Sequence, residues 1–182
     1  RSSRSISKLA LLLMLMTGIA TPGLSQGIDP IGRIDPRAQP LRQVATLDVA
    51  ALDRTAIDAE DVRRRTNGDP ARFAIPYAVR ATTAANGTWE ALDATWSLWR
   101  LRVRAPGASH VNLGFTTCVL PATARLMVYA ADYSDIVRPF TAADVSANGE
   151  LWTPVVQGSE IVVEVYLQTA QRPQLQVTVG QV

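Results

Sequence analysis

The strongest strand signal in the chain is the stretch Trp96-Ser-Leu-Trp-Arg-Leu-Arg-Val-Arg-Ala105. Two sets of side chains alternate along it: Trp99, Leu101, Val103 and Ala105 on one side, and Arg100, Arg102 and Arg104 on the other. A period of two is typical of a strand with one buried and one solvated face, and a helix cannot use it. We interpret the arginines as partners of acids on neighbouring strands, Glu160 or Glu164; an acidic docking partner is the alternative.

The same alternation recurs on both sides of this stretch. Further strands are predicted at Phe73 to Val79, Thr88 to Leu92, His110 to Thr117, Leu126 to Ala130, Ile136 to Phe140, Ile161 to Leu167 and Leu175 to Val179. Asn86-Gly87 predicts a hairpin turn that leads into the strand at Thr88. Because turn signals and no helices separate these strands, we predict an all-β fold over residues 72–182, an antiparallel β-sandwich of jelly-roll type.

The first 25 residues have the pattern of a secretory signal peptide. A basic leader precedes the apolar run Leu9 to Met16, and small residues follow it near Ala20. Cleavage is expected after Ala20 or Ser25. The run is too short to span a bilayer, which requires roughly 20 apolar residues. We therefore predict export to the periplasm or the extracellular space, without a stable membrane anchor.

Residues 26–57 are predicted to be a linker or poorly ordered segment. Prolines are dense at its start, and the triplet Ile-Asp-Pro occurs at residues 28–30 and again at 34–36. Proline at this density favours extended, unpaired backbone. The repeated triplet leaves a docking peptide as the alternative interpretation.

A short helix is predicted over residues 58–68. Asp58 can cap its amino end, and Arg63 to Arg65 carry the charge that suits a carboxyl end. Asn67-Gly68 then ends it. A processing or binding site at the three arginines is the alternative to this role at the helix end.

Charge excludes one class of partner. The chain carries 18 basic and 16 acidic residues, but Arg1, Arg4 and Lys8 all lie in the leader. The remainder has 15 arginines against 16 acids, a balance of −1. A nearly neutral domain presents no electrostatic footprint for nucleic acid, so we expect no such partner.

Few side chains could carry catalysis or bind a metal. His110 is the only histidine and Cys118 the only cysteine. No serine lies in a glycine-framed nucleophile turn, and Ser109 is expected on the opposite face of the strand from His110. One histidine and one cysteine cannot complete a zinc tetrahedron, and Cys118 is interpreted as a buried bystander. We predict no catalytic, cofactor-binding or metal-binding residue.

The segment Asp144-Val-Ser-Ala-Asn-Gly149 resembles the opening of a calcium loop. Such a loop requires a bidentate glutamate at its twelfth position, which here is Val155. We therefore interpret the segment as an Asn-Gly turn that leads into a strand.

Several segments resemble one protein family when they are taken in order. They are Arg72-Phe-Ala-Ile-Pro76, Gly87-Thr-Trp-Glu90, Trp99-Arg-Leu-Arg-Val103, Asn112-Leu-Gly-Phe115, Gly149-Glu-Leu-Trp-Thr-Pro-Val-Val156 and Gly158-Ser-Glu-Ile-Val-Val-Glu-Val165. Together they are similar to the pro-region of bacterial lysyl-endopeptidase-like serine protease precursors, over about Leu41 to Val182. The resemblance implies that a trypsin-like catalytic domain follows this region. It also implies that the region is not itself an enzyme, and that it assists folding of that protease domain, inhibits it, or both.

Other functions use the same sandwich. A free-standing carbohydrate-binding module would need a platform of tryptophans, but all four lie within strand patterns and are interpreted as core: Trp89, Trp96, Trp99 and Trp152. A surface or assembly protein would need an exposed apolar patch, which the alternation does not predict.

The chain contains no lysine after Lys8. One hypothesis is that a protease which cuts after lysine would leave this region intact. Biased composition is the alternative explanation.

Overall fold

The computed structural model describes residues 29–182 of the chain. The predicted signal peptide, residues 1–25, lies outside the described residues. The strands are β1 Thr46–Asp48, β2 Ala78–Thr82, β3 Thr88–Ala91, β4 Trp96–Arg104, β5 His110–Val111, β6 Gly114–Val119, β7 Arg125–Ala130, β8 Leu151–Trp152, β9 Val156–Gln157, β10 Glu160–Gln168 and β11 Gln176–Gln181. The α-helices are α1 Ile31–Ile34 and α2 Arg54–Asn67. Single-turn or short 3₁₀ helices lie at Leu41–Gln43, Ala142–Asp144 and Thr169–Gln174.

Two sheets form the sandwich. Sheet one has the order β1-β4-β10-β7, with β3 also paired to β4, and sheet two has the order β2-β11-β6-β8. A third, two-stranded pairing joins β5 and β9. These pairs are antiparallel except β1 with β4, which is parallel. The predicted all-β class is confirmed, whereas the jelly-roll topology stays a prediction.

The core lies between the two sheets. Strands β4 and β10 pair over their full length, and their alternating apolar side chains face the same interior as those of β6 and β11. The inward sets predicted for these strands are buried, including Trp99, Val103, Val163 and Val177. Burial of this kind stabilises a fold by roughly 25 cal/mol per Å² of apolar surface, so these strands supply the main driving force for folding.

The predicted strand from Phe73 to Val79 is wrong in its first half. Strand β2 begins at Ala78, and Phe73 is 89% exposed. Pro76 lacks a backbone N–H and so cannot donate to a sheet. Only after it, at Tyr77, does this segment exchange backbone hydrogen bonds with the carboxyl-terminal residue Val182.

Asn86-Gly87 forms a bend after a turn at residues 83–85, and this connection does not make a hairpin. The preceding strand β2 belongs to sheet two and the following strand β3 to sheet one, so the turn joins the two layers. Gly87 has a φ of +77°, and a Cβ placed there would lie 2.5 Å from the Trp99 ring. Glycine is therefore required both by the backbone conformation and by the close approach of the ring.

Two other strand predictions change in detail. The stretch from His110 to Thr117 divides into β5, which pairs with β9, and β6, which pairs with β11 and β8. Between them, the Leu113 amide donates to the Thr153 hydroxyl at 2.9 Å. Residues 136–140 make only two isolated bridges to β7 rather than a strand. Pro139 lies within this segment and removes a donor that a continuous strand would need.

The predicted linker is wrong for its described part, residues 29–57. Residues 29–43, which we call the strap, cross the outer face of sheet one, and β1 then extends that sheet. The strap's Leu41 packs on a small apolar cluster on that outer face: Met127, Tyr129 and Val162. The expected extended backbone is also wrong for much of the strap, because the helical turns Ile31–Ile34 and Leu41–Gln43 follow Pro30 and Pro40. Tertiary contacts hold the segment on the sheet.

Helix α2 begins earlier than predicted and ends as predicted. Asp53, rather than Asp58, caps it by accepting a hydrogen bond from the Ala56 amide at 3.0 Å. Gly68 ends it in the left-handed conformation, with φ of +76°. Within residues 29–182 no helix has the length and apolar character needed to cross a membrane.

Candidate functional site

The single histidine lies at the surface, at the start of β5. Its Nδ1 is 3.2 Å from the Ser109 hydroxyl, so the prediction that these side chains point to opposite faces is wrong. The reason is that Ser109 precedes the strand and does not follow its alternation. No carboxylate of the described chain pairs with the imidazole. The acid that would orient the base of a triad is therefore not part of this arrangement.

Cys118 lies in the core, as predicted. Burial raises the pKa of its thiol to about 11. The sulfur is therefore protonated near neutral pH, whereas nucleophilic attack and metal binding both require the thiolate.

Oxygen ligands for a metal ion do not converge in the described chain. Asp144 accepts hydrogen bonds from Arg138 at 2.7 Å and from the Thr141 amide at 2.7 Å, and these lower its pKa to about 2. Residues 29–182 contain no group of three His, Cys, Asp or Glu side chains that could hold a metal ion. The segment from Asp144 to Gly149 forms a hydrogen-bonded turn, in which the Ser146 hydroxyl donates to the Glu150 carbonyl.

The three arginines of β4 find acids close to them, but only one pair was predicted. Arg102 Nε donates to Glu160 at 2.6 Å, which confirms that pairing. Arg104 pairs instead with Asp48 of β1 at 2.6 Å. The prediction that Glu164 serves an arginine as ion-pair partner is wrong, as described below.

A buried charged cluster lies on the outer face of sheet one, at Arg100, Glu90, Glu164 and Tyr129. Arg100 is fully buried and donates two hydrogen bonds to Glu90, from Nε at 2.8 Å and from Nη2 at 2.9 Å. Glu164 is 1% exposed and accepts a hydrogen bond from the Tyr129 hydroxyl at 2.8 Å. Charges on the outer face of a sheet are normally solvated, so something must cover these.

The strap covers the cluster and supplies main-chain partners to it. The amides of Ile31 and Gly32, in the first turn of α1, donate to the Glu164 carboxylate at 2.7 and 3.0 Å. Further along the strap, the Gln39 amide donates to Glu90 at 2.6 Å and its carbonyl accepts from Arg100 Nη2 at 2.6 Å. Backbone groups thus supply hydrogen bonds to two buried carboxylates and to Nη2 of the guanidinium, whereas Arg100 Nη1 is buried without a hydrogen-bond partner within residues 29–182.

The electrostatics of Glu164 reflect its burial. Removal from water raises the pKa of Glu164, while the hydrogen bonds from Tyr129, Gly32 and Ile31 and the charge of Arg100 oppose the rise. Burial together with the Glu164 charge raises the pKa of the Tyr129 phenol. Arg100, Glu164 and Tyr129 are at most 1% exposed, so a substrate in solution has no access to them, and we interpret the cluster as holding the strap on the sheet.

A cleft of about 490 Å³ lies where α2 meets one end of the sandwich. We call residues 54–77 the arm: helix α2 and the segment that returns from it to β2. The apolar side chains that line the cleft include Leu52, Ile57, Phe73, Ile75, Val155 and Val182. His110 and Ser109 lie on its wall.

Polar contacts hold the arm together and against the sandwich. Arg72 of the return segment pairs with Glu60 at 2.8 Å and with Asp61 at 3.2 Å on α2. Arg54 Nε donates to the Gly107 carbonyl at 3.0 Å. Helix α2 nevertheless contains no buried residue along its 14 positions.

The tryptophans do not form a shared platform. Trp99 is fully buried, Trp96 stacks on Tyr166 with ring centroids 4.6 Å apart, and Trp89 lies under Arg172 at 4.0 Å. The prediction that all four belong to the core is wrong for two of them: Trp152 is 53% exposed, and Trp96 belongs to neither apolar cluster. Flat sugar-binding surfaces need exposed coplanar rings, which this arrangement does not supply.

Comparison with known protein families identifies the family of the chain. Residues 42–182 match the sequence model of one family, the lysyl endopeptidase N-terminal domain. The chain belongs to this family. The prediction made from the resemblance of its strand segments is thereby confirmed. No solved structure matches the chain.

The matched range of this lysyl endopeptidase N-terminal domain contains the arm, the cleft and all eleven strands described above. It begins at residue 42, after most of the strap. The groups that sequence reasoning missed are Glu90 and the strap amides. The sequence does place the charged side chains of Arg100 and Glu164 on the outward faces of two central strands. Nothing in the local pattern shows which segment covers them.

Proposed function

We propose that this domain is the non-catalytic pro-region of a secreted trypsin-like serine endopeptidase precursor, and that it assists folding of the endopeptidase domain, inhibits it, or both. The observation that carries the proposal is the family match, which runs to Val182. The partner is the endopeptidase domain that follows in the same precursor.

A physical reason supports a folding role. Trypsin-like domains depend on strand pairing between residues far apart in the chain, and such pairing is slow because loop closure must precede the contacts that reward it. A partner that binds the native surface but not the unfolded chain stabilises the native state by mass action. A folded sandwich joined to the same chain is present at high effective concentration.

Export is part of the proposal. A basic leader, an apolar run and small residues near Ala20 form the pattern of a signal peptide. Precursors that fold after export need any folding partner to travel with them, which a covalently joined pro-region does.

Refolding in trans tests the proposal. The endopeptidase domain of the precursor is denatured and diluted with or without residues 29–182, and recovered activity is measured. The same chain is titrated into active enzyme, and an unrelated β-sandwich protein serves as control. We expect higher recovery, dose-dependent inhibition, or both. Failure of the domain to affect either measurement would overturn the proposal.

A further inference from the structure

The arm carries the most exposed large apolar side chain of residues 29–182. Phe73 is 89% exposed and Val62 is 53% exposed, yet both belong to a segment that folds back on itself through the Arg72 ion pairs. An isolated helix of about 12–15 residues is marginal in water, and most helices in proteins gain their stability from packing of an apolar face. The sandwich supplies little such packing, since α2 has no buried residue.

The exposed apolar side chains of the arm continue onto the sandwich. Phe73 lines the cleft together with Val155, which is 49% exposed and lies between β8 and β9. Polar and charged groups of both signs surround them, among them Arg54, Asp58 and Arg72. An apolar centre within a polar rim is the usual composition of a protein–protein interface.

The carboxyl end of the domain lies at the same cleft. Val182 lines it, and its amide and carbonyl exchange hydrogen bonds with Tyr77 of the arm at 3.0 and 2.8 Å. In a precursor of the proposed kind, the endopeptidase domain lies on the carboxyl side of the matched domain, and the chain leaves that domain beside the arm. A tethered domain meets a neighbouring surface at an effective concentration that short linkers raise to about the millimolar range.

We propose that the arm and the cleft together form the docking surface for the downstream endopeptidase domain, with Phe73 and Val155 as its apolar anchors. This inference rests on the proposed function and adds the surface through which that function operates. Aromatic anchors at the centre of an interface carry most of the binding energy, so Phe73 is the side chain whose loss weakens docking most.

The test measures binding of the separately expressed endopeptidase domain to residues 29–182 by calorimetry or interferometry. The test variants are Phe73→Ser and the double variant F73S/V155S. Val119→Ser is the matched control, because Val119 is 46% exposed, much like Val155, but pairs with Gln176 at the opposite end of β11 from Gln181. Thermal unfolding of each variant is recorded, and all are expected to fold like the wild type because the altered side chains are exposed.

We expect F73S/V155S to weaken binding by about tenfold or more and V119S by less than about twofold. Hydrogen exchange should show protection of residues 54–77 when the endopeptidase domain is added. Equal affinity of F73S/V155S and wild type would overturn the inference while leaving the proposed function intact. Absence of any binding by the wild type would instead overturn the proposed function, and this surface with it.

Self-association is measured in the same series. If the isolated chain forms a dimer that Phe73→Ser dissociates, the surface belongs to a second copy of the chain and the inference is overturned. A monomeric wild type that binds the endopeptidase domain supports it.

Discussion

The strap and the arm both lie outside the sandwich, and they are attached to it in opposite ways. The strap directs its own peptide groups at buried charges, so that Gly32 and Gln39 form hydrogen bonds with Glu164, Glu90 and Arg100. The arm is held by ion pairs at the surface and leaves Phe73 almost fully exposed. One segment is required by the charges that it covers, whereas the other carries apolar surface that the domain does not use.

This difference separates stability from function. Removing a partner from a buried ion pair is costly because the remaining charge stays buried without compensation. Removing an exposed side chain changes the free energy of unfolding little, so its main effect is expected on the affinity for a partner. The predictions below test this contrast.

The largest effect is expected when the buried charged cluster loses its cation. Arg100→Ala leaves Glu90 buried without its partner and should lower the free energy of unfolding by about 3–5 kcal/mol. Urea unfolding measures the change. Arg37→Ala is the control, because Arg37 pairs with Asp35 and Asp93 at an exposed position, where ion pairs contribute little, so its loss of stability should be far smaller. Equal losses of unfolding free energy in the two variants would show that the buried charged cluster contributes no more to stability than a surface ion pair.

A smaller loss is expected from crowding beneath the strap. A Cβ at Gly32 would lie 2.5 Å from Arg100 Nη1 and 2.8 Å from Glu164 Oε2. Gly32→Ala should therefore displace the strap and destabilise the domain by about 1–3 kcal/mol, although alanine is the better helix former. Ile34→Ala, at a site that is 57% exposed, should stay within about 0.5 kcal/mol of wild type. Unfolding curves for the two variants that superimpose would show that the strap tolerates a side chain here.

The pH dependence of stability sharpens the comparison further. Burial raises the pKa of Glu164 above its ordinary value of 4.5, so the folded state binds this proton more tightly than the unfolded chain does. Its contribution is fully present below 4.5 and is lost as pH rises through the folded-state pKa. The stability of wild type relative to Glu164→Gln should therefore fall with rising pH in an unfolding series from about pH 4 to about pH 8.

Asp144→Asn is the control of opposite sign. Arg138 and Thr141 lower the pKa of Asp144 to about 2, so its contribution is present above the ordinary value of 3.8 and is lost as pH falls. If the difference in free energy of unfolding between wild type and E164Q does not change with pH, Glu164 keeps one protonation state across the series.

The smallest change in stability is expected from lysines placed at exposed arginines. Arg65→Lys in the last turn of α2 and Arg80→Lys in β2 should each leave the free energy of unfolding within about 0.5 kcal/mol of wild type. Their susceptibility to a lysyl endopeptidase should differ, because a helix without buried residues opens locally at lower cost than a paired strand. We expect cleavage after residue 65 to be about tenfold faster or more.

The wild-type chain has no lysine among residues 29–182, so background cleavage by such an enzyme is absent from this assay. Mass spectrometry of the fragments measures both rates. Equal cleavage of R65K and R80K would show that the arm is as resistant to opening as the sheet. Survival of both would remove the hypothesis that the missing lysines protect the domain.

Some features were predictable because their signal is local. Alternation along β4 and β10 identified the buried set around Trp99 and Val163, and the Gly68 stop located the end of α2. The start of α2 was not predictable with equal certainty, since Asp53 and Asp58 can each cap a helix and the local pattern does not choose between them. The chain reversal at Asn86-Gly87 was predictable. Whether its two flanking strands pair with each other or lie in different sheets depends on strands far away in the chain.

The candidate sites divide in the same way. The residues themselves indicated that His110 and Cys118 lack the partners of a catalytic or zinc site, because the chain holds one of each. They did not indicate that the cleft at Val182 would be lined by the arm, since this depends on how the return segment meets the end of the sandwich.

Side-chain period, capping residues and family motifs are written along the chain, so they established the β class, the helix and the membership of the lysyl endopeptidase N-terminal family without coordinates. Burial of Arg100, in contrast, required a segment 61 residues earlier in the chain to cross the sheet. Removing these charges from water costs free energy, and only the packed arrangement supplies the partners that offset this cost. The tertiary structure therefore decides whether an outward arginine is solvated or part of a buried charged cluster.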